Sequence, residues 1–165
     1  MANQGSEPRQ ETAVSVDLGV LGKLLSFYIR SINITVSRDL DKKLAGLEVA
    51  KGTGKISTLL IVARHPGIRP SAIANAIMCD RSAMGRLVTK LESQGLLIRK
   101  ISKDDSRSQE LYLTPHGEEL AAKVTLLVAE QEAEFFQSVS EYEKKFIIKV
   151  FKKVLNETGS FDGVE

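Results

Sequence analysis

A lone cysteine, Cys79, leaves this chain without an intramolecular disulfide and without the thiols a cysteine-rich zinc site requires. Histidine is almost as scarce: His65 and His116 are the only two, and neither stands in a ligand spacing such as H-E-x-x-H. No G-x-S-x-G elbow is present, and the adjacent pair Asp104-Asp105 lacks the alternating oxygen ligands of a calcium loop. Long apolar runs are missing as well. The longest, Leu59 to Ala63, falls far below the ~20 residues of a membrane span. The opening segment MANQGSEPRQETA lacks the basic-then-apolar order of a secretory signal, so a cytoplasmic, reducing compartment is expected, with no membrane partner. Charge of one sign is also in short supply. The net charge is only +2, so a polyanionic partner must be argued from where the cations lie. What remains is ordinary for a soluble globular chain: 165 residues, 42% hydrophobic and 27% charged, enough to bury one core.

Periodicity organises the chain. From Asp17 to Leu44, the residues Leu21, Leu25, Tyr28, Ile29, Ile32, Val36 and Leu40 recur at steps of three and four, which predicts one helix of about seven turns. Glycines in AGLEVAKGTGK end it, and ISTLLIVARH resumes a helical pattern up to Pro66-Gly67. Two short helices follow. One starts at Pro70 and buries Ile73, Ala74 and Ile77; the other runs from about Asp80 to Gln94, burying Ala83, Met84, Leu87, Val88 and Leu91, with Gly95 as its cap. LLIRKI and ELYLT then read as a β-hairpin around a polar loop. Thr114-Pro115 opens a helix to about Ser138, and Ser140 to Glu157 forms the last one, with Phe146, Ile147, Val150, Phe151 and Val154 on one face. The expected fold is mainly α with a small β-hairpin wing. Residues 1–16 are a polar arm and 158–165 a tail, both expected to be mobile; 17–157 form one domain, with the winged helix-turn-helix at 55–114.

Two short helices followed directly by a hairpin make a winged helix-turn-helix. With the apolar side of the second helix turned inward, Arg81, Ser82, Gly85, Arg86 and Thr89 lie on its outward face. These donors and small groups suit a groove floor of base edges and walls of phosphate. Between Arg81 and Arg107, the seven cations Arg81, Arg86, Lys90, Arg99, Lys100, Lys103 and Arg107 against the three anions Glu92, Asp104 and Asp105 leave a local +4. Phosphate contacts by such a patch release counterions, so binding should weaken steeply with salt.

The residues Asp105, Arg107, Leu111, Leu113 and Thr114 match the pattern D-x-R-x-x-x-L-x-L-T, with Gly117 following. RLVTKLESQGLLIRK and ARHPGIRPSAIANAI flank it. In these features the chain resembles the MarR family of bacterial transcription regulators, over roughly residues 17–157 and most specifically over 59–117. The resemblance implies that Arg107, oriented by Asp105, enters a minor groove, where negative potential is concentrated. The DNA-contacting set it implies is Ser71, Arg81, Ser82, Gly85, Arg86, Thr89, Lys90, Lys103, Asp105 and Arg107. Gly85 departs from the hydroxyl or larger side chain of many members, which puts a base contact there in doubt. The resemblance further implies a homodimer built from helices 17–44 and 115–157 on a pseudo-palindromic double-stranded operator. It also implies a small-molecule effector, an aromatic acid or related thioester, in a cleft that Tyr28, Arg30, Ser31, Arg64 and His65 are placed to line. No cofactor or metal is implied.

Two rival functions carry their own residues. VAKGTGKIST is similar to a phosphate-binding loop, but Val49 stands for its first glycine and Ile56 for its hydroxyl. A winged helix that binds protein, as an adaptor or antirepressor, would share the fold and have no need of Arg86 and Arg107. Cys79, beside Met78 at the end of an apolar helix, fits a small buried side chain better than a redox sensor. A DNA-binding regulator of transcription, a repressor relieved by a ligand, is the expected function.

Overall fold

The computed structural model describes residues 15–102 and 108–158. Of the ends expected at 1–16 and 158–165, residues 1–14 and 159–165 lie outside the described residues, as do the wing-tip residues Lys103, Asp105 and Arg107. The chain divides into two units, one up to Ile34 and one from Thr35 onward.

In the first unit the single helix expected from Asp17 is two elements. A 3-10 turn at Gly19–Lys23 is followed by an extended Leu24 and then by α1, Leu25–Lys43, which has 19 residues and about five turns in place of seven. The cause is local. Gly19 takes φ +51°, a left-handed conformation that suits glycine, and its amide donates to the Asp17 carboxylate at 2.9 Å. Tyr28 then donates its hydroxyl to the Gly22 carbonyl at 3.0 Å, closing the turn onto α1. Val20, Leu21, Leu25, Ile29 and Ile32 all remain exposed.

The second unit begins inside α1 and holds the core. Leu40 packs against that core and Leu44 is fully buried. Lys43 reaches Glu134 at 3.0 Å and Glu130 at 3.4 Å. Beside it Gln131, only 3% exposed, donates to Asp39 at 2.9 Å, so the end of α1 is tied to the last turns of a later helix. The loop that follows is built inward. Val49 is fully buried, and Lys55 donates its ammonium to the carbonyls of Glu48 at 3.0 Å and Ala50 at 2.6 Å. This is the segment similar to a phosphate loop, and its lysine holds the loop's own backbone.

α2 runs Thr53–Arg64, α3 Pro70–Ala76 and α4 Arg81–Ser93. β1, Leu97–Ile101, pairs antiparallel with β2, Gln109–Leu113, with Arg99 opposite Leu111. Ile68 adds a further bridge to Leu111, through Gly67 N–H to Leu111 O at 2.8 Å and Leu111 N–H to Ile68 O at 3.0 Å. The segment before α3 therefore borders the hairpin. α4 buries Met84, Val88 and Leu91; Ala83 and Leu87, expected inside, are only partly covered because Met84 marks the centre of the inward face.

α5, Pro115–Phe135, starts where the Thr114 hydroxyl accepts from Gly117 N–H at 3.0 Å and donates to the Gly95 carbonyl at 2.6 Å. It ends three residues short of the expected Ser138. α6, Glu141–Glu157, has a reciprocal cap in which Ser140 Oγ accepts from the Glu143 amide at 3.3 Å and Glu143 accepts from the Ser140 amide at 2.8 Å. None of its side chains is buried. Phe146, Ile147, Val150, Phe151 and Val154 are 37–58% exposed, so a place in their own chain's core is excluded among the described residues. No helix among the described residues is long and apolar enough to cross a membrane.

One carboxylate gives this packing a pH dependence. Glu48 receives its own backbone N–H and the His116 ring at 3.0 Å, which together hold its carboxyl below the ordinary 4.5. A depressed carboxyl contributes stability that is present above the unfolded value and lost as pH falls through the folded one. Thermal melts of wild type and Glu48→Gln should therefore converge on acidification below about pH 4.5 and separate above it. A constant separation across that range would remove Glu48 from the acid response.

Candidate nucleic-acid interface

The helix-turn-helix is formed by α3, the turn Ile77–Asp80 and α4. Cys79 N–H bonds the Ala74 carbonyl at 2.8 Å, and Met78 takes φ 53°, leaving its side chain 58% exposed. Asp80 then caps α4 by accepting from Ala83 N–H at 2.7 Å. Cys79 is partly buried against the core and directs its thiol to the Asp80 carbonyl at 3.3 Å, a packed small side chain.

Because Met84, Val88 and Leu91 point inward, Arg81, Ser82, Gly85, Arg86, Thr89 and Lys90 are all exposed on the other side of α4. Ser82, Gly85, Arg86, Thr89, Lys90 and Ser93 border a shallow concavity of about 480 Å3. Arg86 donates to Ser82 Oγ at 2.8 Å, one turn back. A helix about 10–12 Å across with such a face fits a major groove about 12 Å wide. At Gly85 an added Cβ meets nothing within 4 Å. Gly85→Ala should therefore raise stability by about 0.5–1 kcal/mol through helix propensity alone, read as a small rise in Tm. A fall in Tm would show that the open space is needed by the fold.

Three residues add to the set found from sequence. Arg99, on β1, donates to Thr89 Oγ1 at 2.6 Å while its Nε lies 3.1 Å from the Glu92 carboxylate. The guanidinium occupies an acceptor site on Thr89 and leaves that hydroxyl free to donate outward. Arg69 lines a second cleft, of about 430 Å3, with Ser71, Arg81 and Ser108. It stands directly before Pro70, at the start of α3. Lys100 stands over the Tyr112 ring at 4.5 Å, a cation held by an aromatic face.

Of the expected wing residues, Lys103, Asp105 and Arg107 are outside the described residues; Ile101 opposite Gln109, and Ser102 N–H to Ser108 O at 2.9 Å, mark the two strands on either side of them. Of the residues expected to meet an effector, Tyr28 and Arg30 are exposed and Ser31 part-buried in the first unit. Tyr28 and Ser31 already donate to the carbonyls of Gly22 and Phe27. Arg64 and His65 are exposed at the end of α2 in the second unit.

Residues 54–109 match the model of the MarR family. In this region the chain is similar to the MarR family. The match runs from the first turn of α2 to the first residue of β2, so it covers every element that carries the exposed basic face. A Thauera aromatica protein, named as a putative transcriptional regulatory protein for the hcr operon, is 27% identical over 93% of this chain and 92% of its own length. The structure of the transcriptional repressor CouR bound to a 23-mer DNA duplex shares the fold with TM-score 0.77, at 23% identity over 86% of this chain and 99% of that one. CouR bound to p-coumaroyl-CoA gives TM-score 0.76, at 22% identity over 87% and 99%.

Proposed function

We propose that this chain is a member of the MarR family and a sequence-specific, double-stranded-DNA-binding regulator of transcription. It acts as a homodimeric repressor whose hold on its operator loosens when a small molecule binds. The observation that carries this reading is the exposed row Arg81, Ser82, Gly85, Arg86, Thr89 and Lys90 on one side of a capped helix, next to a two-stranded wing. Those residues, with Ser71, address a major groove and its phosphates; Lys103 and Arg107, with Asp105 orienting the arginine, address the neighbouring minor groove. The apolar face of α6 and the exposed apolar residues of α1 pair with those of a second copy, giving two recognition helices for two half-sites. CouR, with the same fold, is a repressor described both with a DNA duplex and with p-coumaroyl-CoA, which supports an aromatic acid or thioester as effector. Tyr28, Arg30, Ser31, Arg64 and His65 are the residues assigned to it.

Selection from a pool of random duplexes, followed by salt titration of the winner, tests the reading. A two-fold-symmetric winner is expected. Arg107→Ala should weaken it about tenfold or more and lower the salt slope by about one. An unselected pool, or affinity indifferent to Arg107, would leave a protein-binding adaptor as the function.

A further inference from the structure

Glycine inside a helix is destabilising relative to alanine, and nothing within the chain asks for it at Gly85. The residue lies in the second turn of α4 with no positive φ, so the backbone does not require it. The packing does not require it either, since a Cβ added there meets nothing within 4 Å. The remaining use of a glycine is to let an outside group come close to the backbone.

The chemistry on either side narrows what that group is. Ser82, about one turn before, and Thr89, about one turn after, share the face of Gly85 and border the same shallow concavity. Each hydroxyl accepts from a guanidinium, Ser82 from Arg86 at 2.8 Å and Thr89 from Arg99 at 2.6 Å. The two arginines differ in how firmly they are held. Arg86 is exposed, whereas Arg99 is half-buried on β1, with its Nε out of water and 3.1 Å from the Glu92 carboxylate. A hydroxyl has a single proton, and with a fixed cation at its back Thr89 keeps that proton for a group outside. The positive charge behind it favours an acceptor there over an amino group. So open a surface suits the edge of a base pair, held in place by the rest of a duplex, better than a free small molecule.

Of the four bases, only thymine presents an acceptor, O4, beside a methyl group in the major groove. We propose that Gly85 and Thr89 read one thymine in each half-site: its methyl group sits against the bare Cα of Gly85, and its O4 accepts the Thr89 proton. Cytosine offers an amino group in place of O4 and has no methyl, so it is rejected twice. Arg99 does not touch the base; it is a positioning residue that fixes which way the hydroxyl donates. The assignment rests on the regulator reading above and adds a base identity to it.

The test takes the duplex that the full chain selects and changes its thymines one at a time. Deoxyuridine removes the methyl group alone; 5-methyldeoxycytidine paired with deoxyguanosine keeps the methyl and turns the acceptor into a donor. One thymine per half-site should respond to both, binding wild type about fourfold more weakly as deoxyuridine and at least about tenfold more weakly as 5-methyldeoxycytidine. At that position Gly85→Ala, whose own methyl fills the notch, should reverse the first preference and bind deoxyuridine more tightly than thymine. Thr89→Val, which keeps the shape and removes the proton, should bring the second ratio to within about twofold, and Arg99→Met should shrink it at least about threefold while leaving the ratios at other thymines unchanged. Each reading compares two duplexes on one protein, so a loss of folding or of general affinity does not move it. A symmetric winner in which no thymine responds to loss of its methyl overturns the proposal and leaves the regulator reading standing. A methyl preference that Gly85→Ala leaves in the same sense, or an acceptor preference that Thr89→Val leaves intact, overturns it as well. A pool with no winner sinks both readings.

Discussion

Gly117→Ala is expected to destabilise the protein by about 3 kcal/mol or more, lowering Tm by roughly 6–12 °C. The added methyl group at Gly117 runs into the carbonyl oxygen of Leu96, with the Leu96 carbonyl carbon and Cα close behind. That carbonyl cannot give way. It accepts from Thr114 N–H at 3.1 Å, Leu96 is fully buried, and the preceding Gly95 carbonyl accepts from the Thr114 hydroxyl at 2.6 Å. Alanine's helix propensity returns only about 1 kcal/mol, so the clash wins. Gly85→Ala is the internal control: the same change, in open space, should have the opposite sign. The close approach also explains why glycine follows the wing pattern in the sequence. A Gly117→Ala protein melting with wild type would mean that α5 can slide on the hairpin base, and the packing described here would be wrong.

Ile147→Asp/Phe151→Asp should leave the single chain folded, convert dimer to monomer, and lower operator affinity by at least about 100-fold. The two positions lie one turn apart on α6 and are 41% and 40% exposed in the single chain, so charge there is tolerated by the monomer. In the dimer it is not. Burying what is still exposed of each large apolar side chain contributes about half of the roughly 1.5–3 kcal/mol of full burial, so two symmetric copies of a five-residue face are comparable with the roughly 4–15 kcal/mol that association costs, and two buried aspartates tip the balance. A monomer engages one half-site at a time and forfeits the effective concentration that makes paired binding about 100- to 10,000-fold tighter. Sedimentation and operator titration read the two effects separately. A stable dimer carrying both aspartates would assign α6 to some other partner.

Much of this architecture follows from local rules and was readable as such. Pro70 and Pro115 mark helix starts, Gly95 takes φ +70° after α4, and alternation in ELYLT gives the strand, because each is decided by a few neighbouring residues. The exposed row on α4 follows from the same periodicity that buries Met84 and Val88. The break at Leu24 did not, because the run of apolar residues continues through it and only the conformation of Gly19 and the Tyr28 hydroxyl bond interrupt the helix. Arg99 is legible in the sequence as charge but not as the partner of Thr89, since that contact joins residues ten apart on a helix and a strand.

The tie between α1 and α5 bears on the order of folding. The Gln131–Asp39 bond spans 92 residues and the Lys43–Glu134 pair 91, whereas α3, α4 and the hairpin are close neighbours along the chain. Closing so long a loop costs entropy before the contact returns anything, and local contacts carry no such delay. The docking of the end of α1 onto α5 therefore carries a larger loop-closure cost than any contact within the winged core. On a chain emerging from the ribosome, Asp39 and Lys43 stay with water until Gln131 and Glu134 have been made.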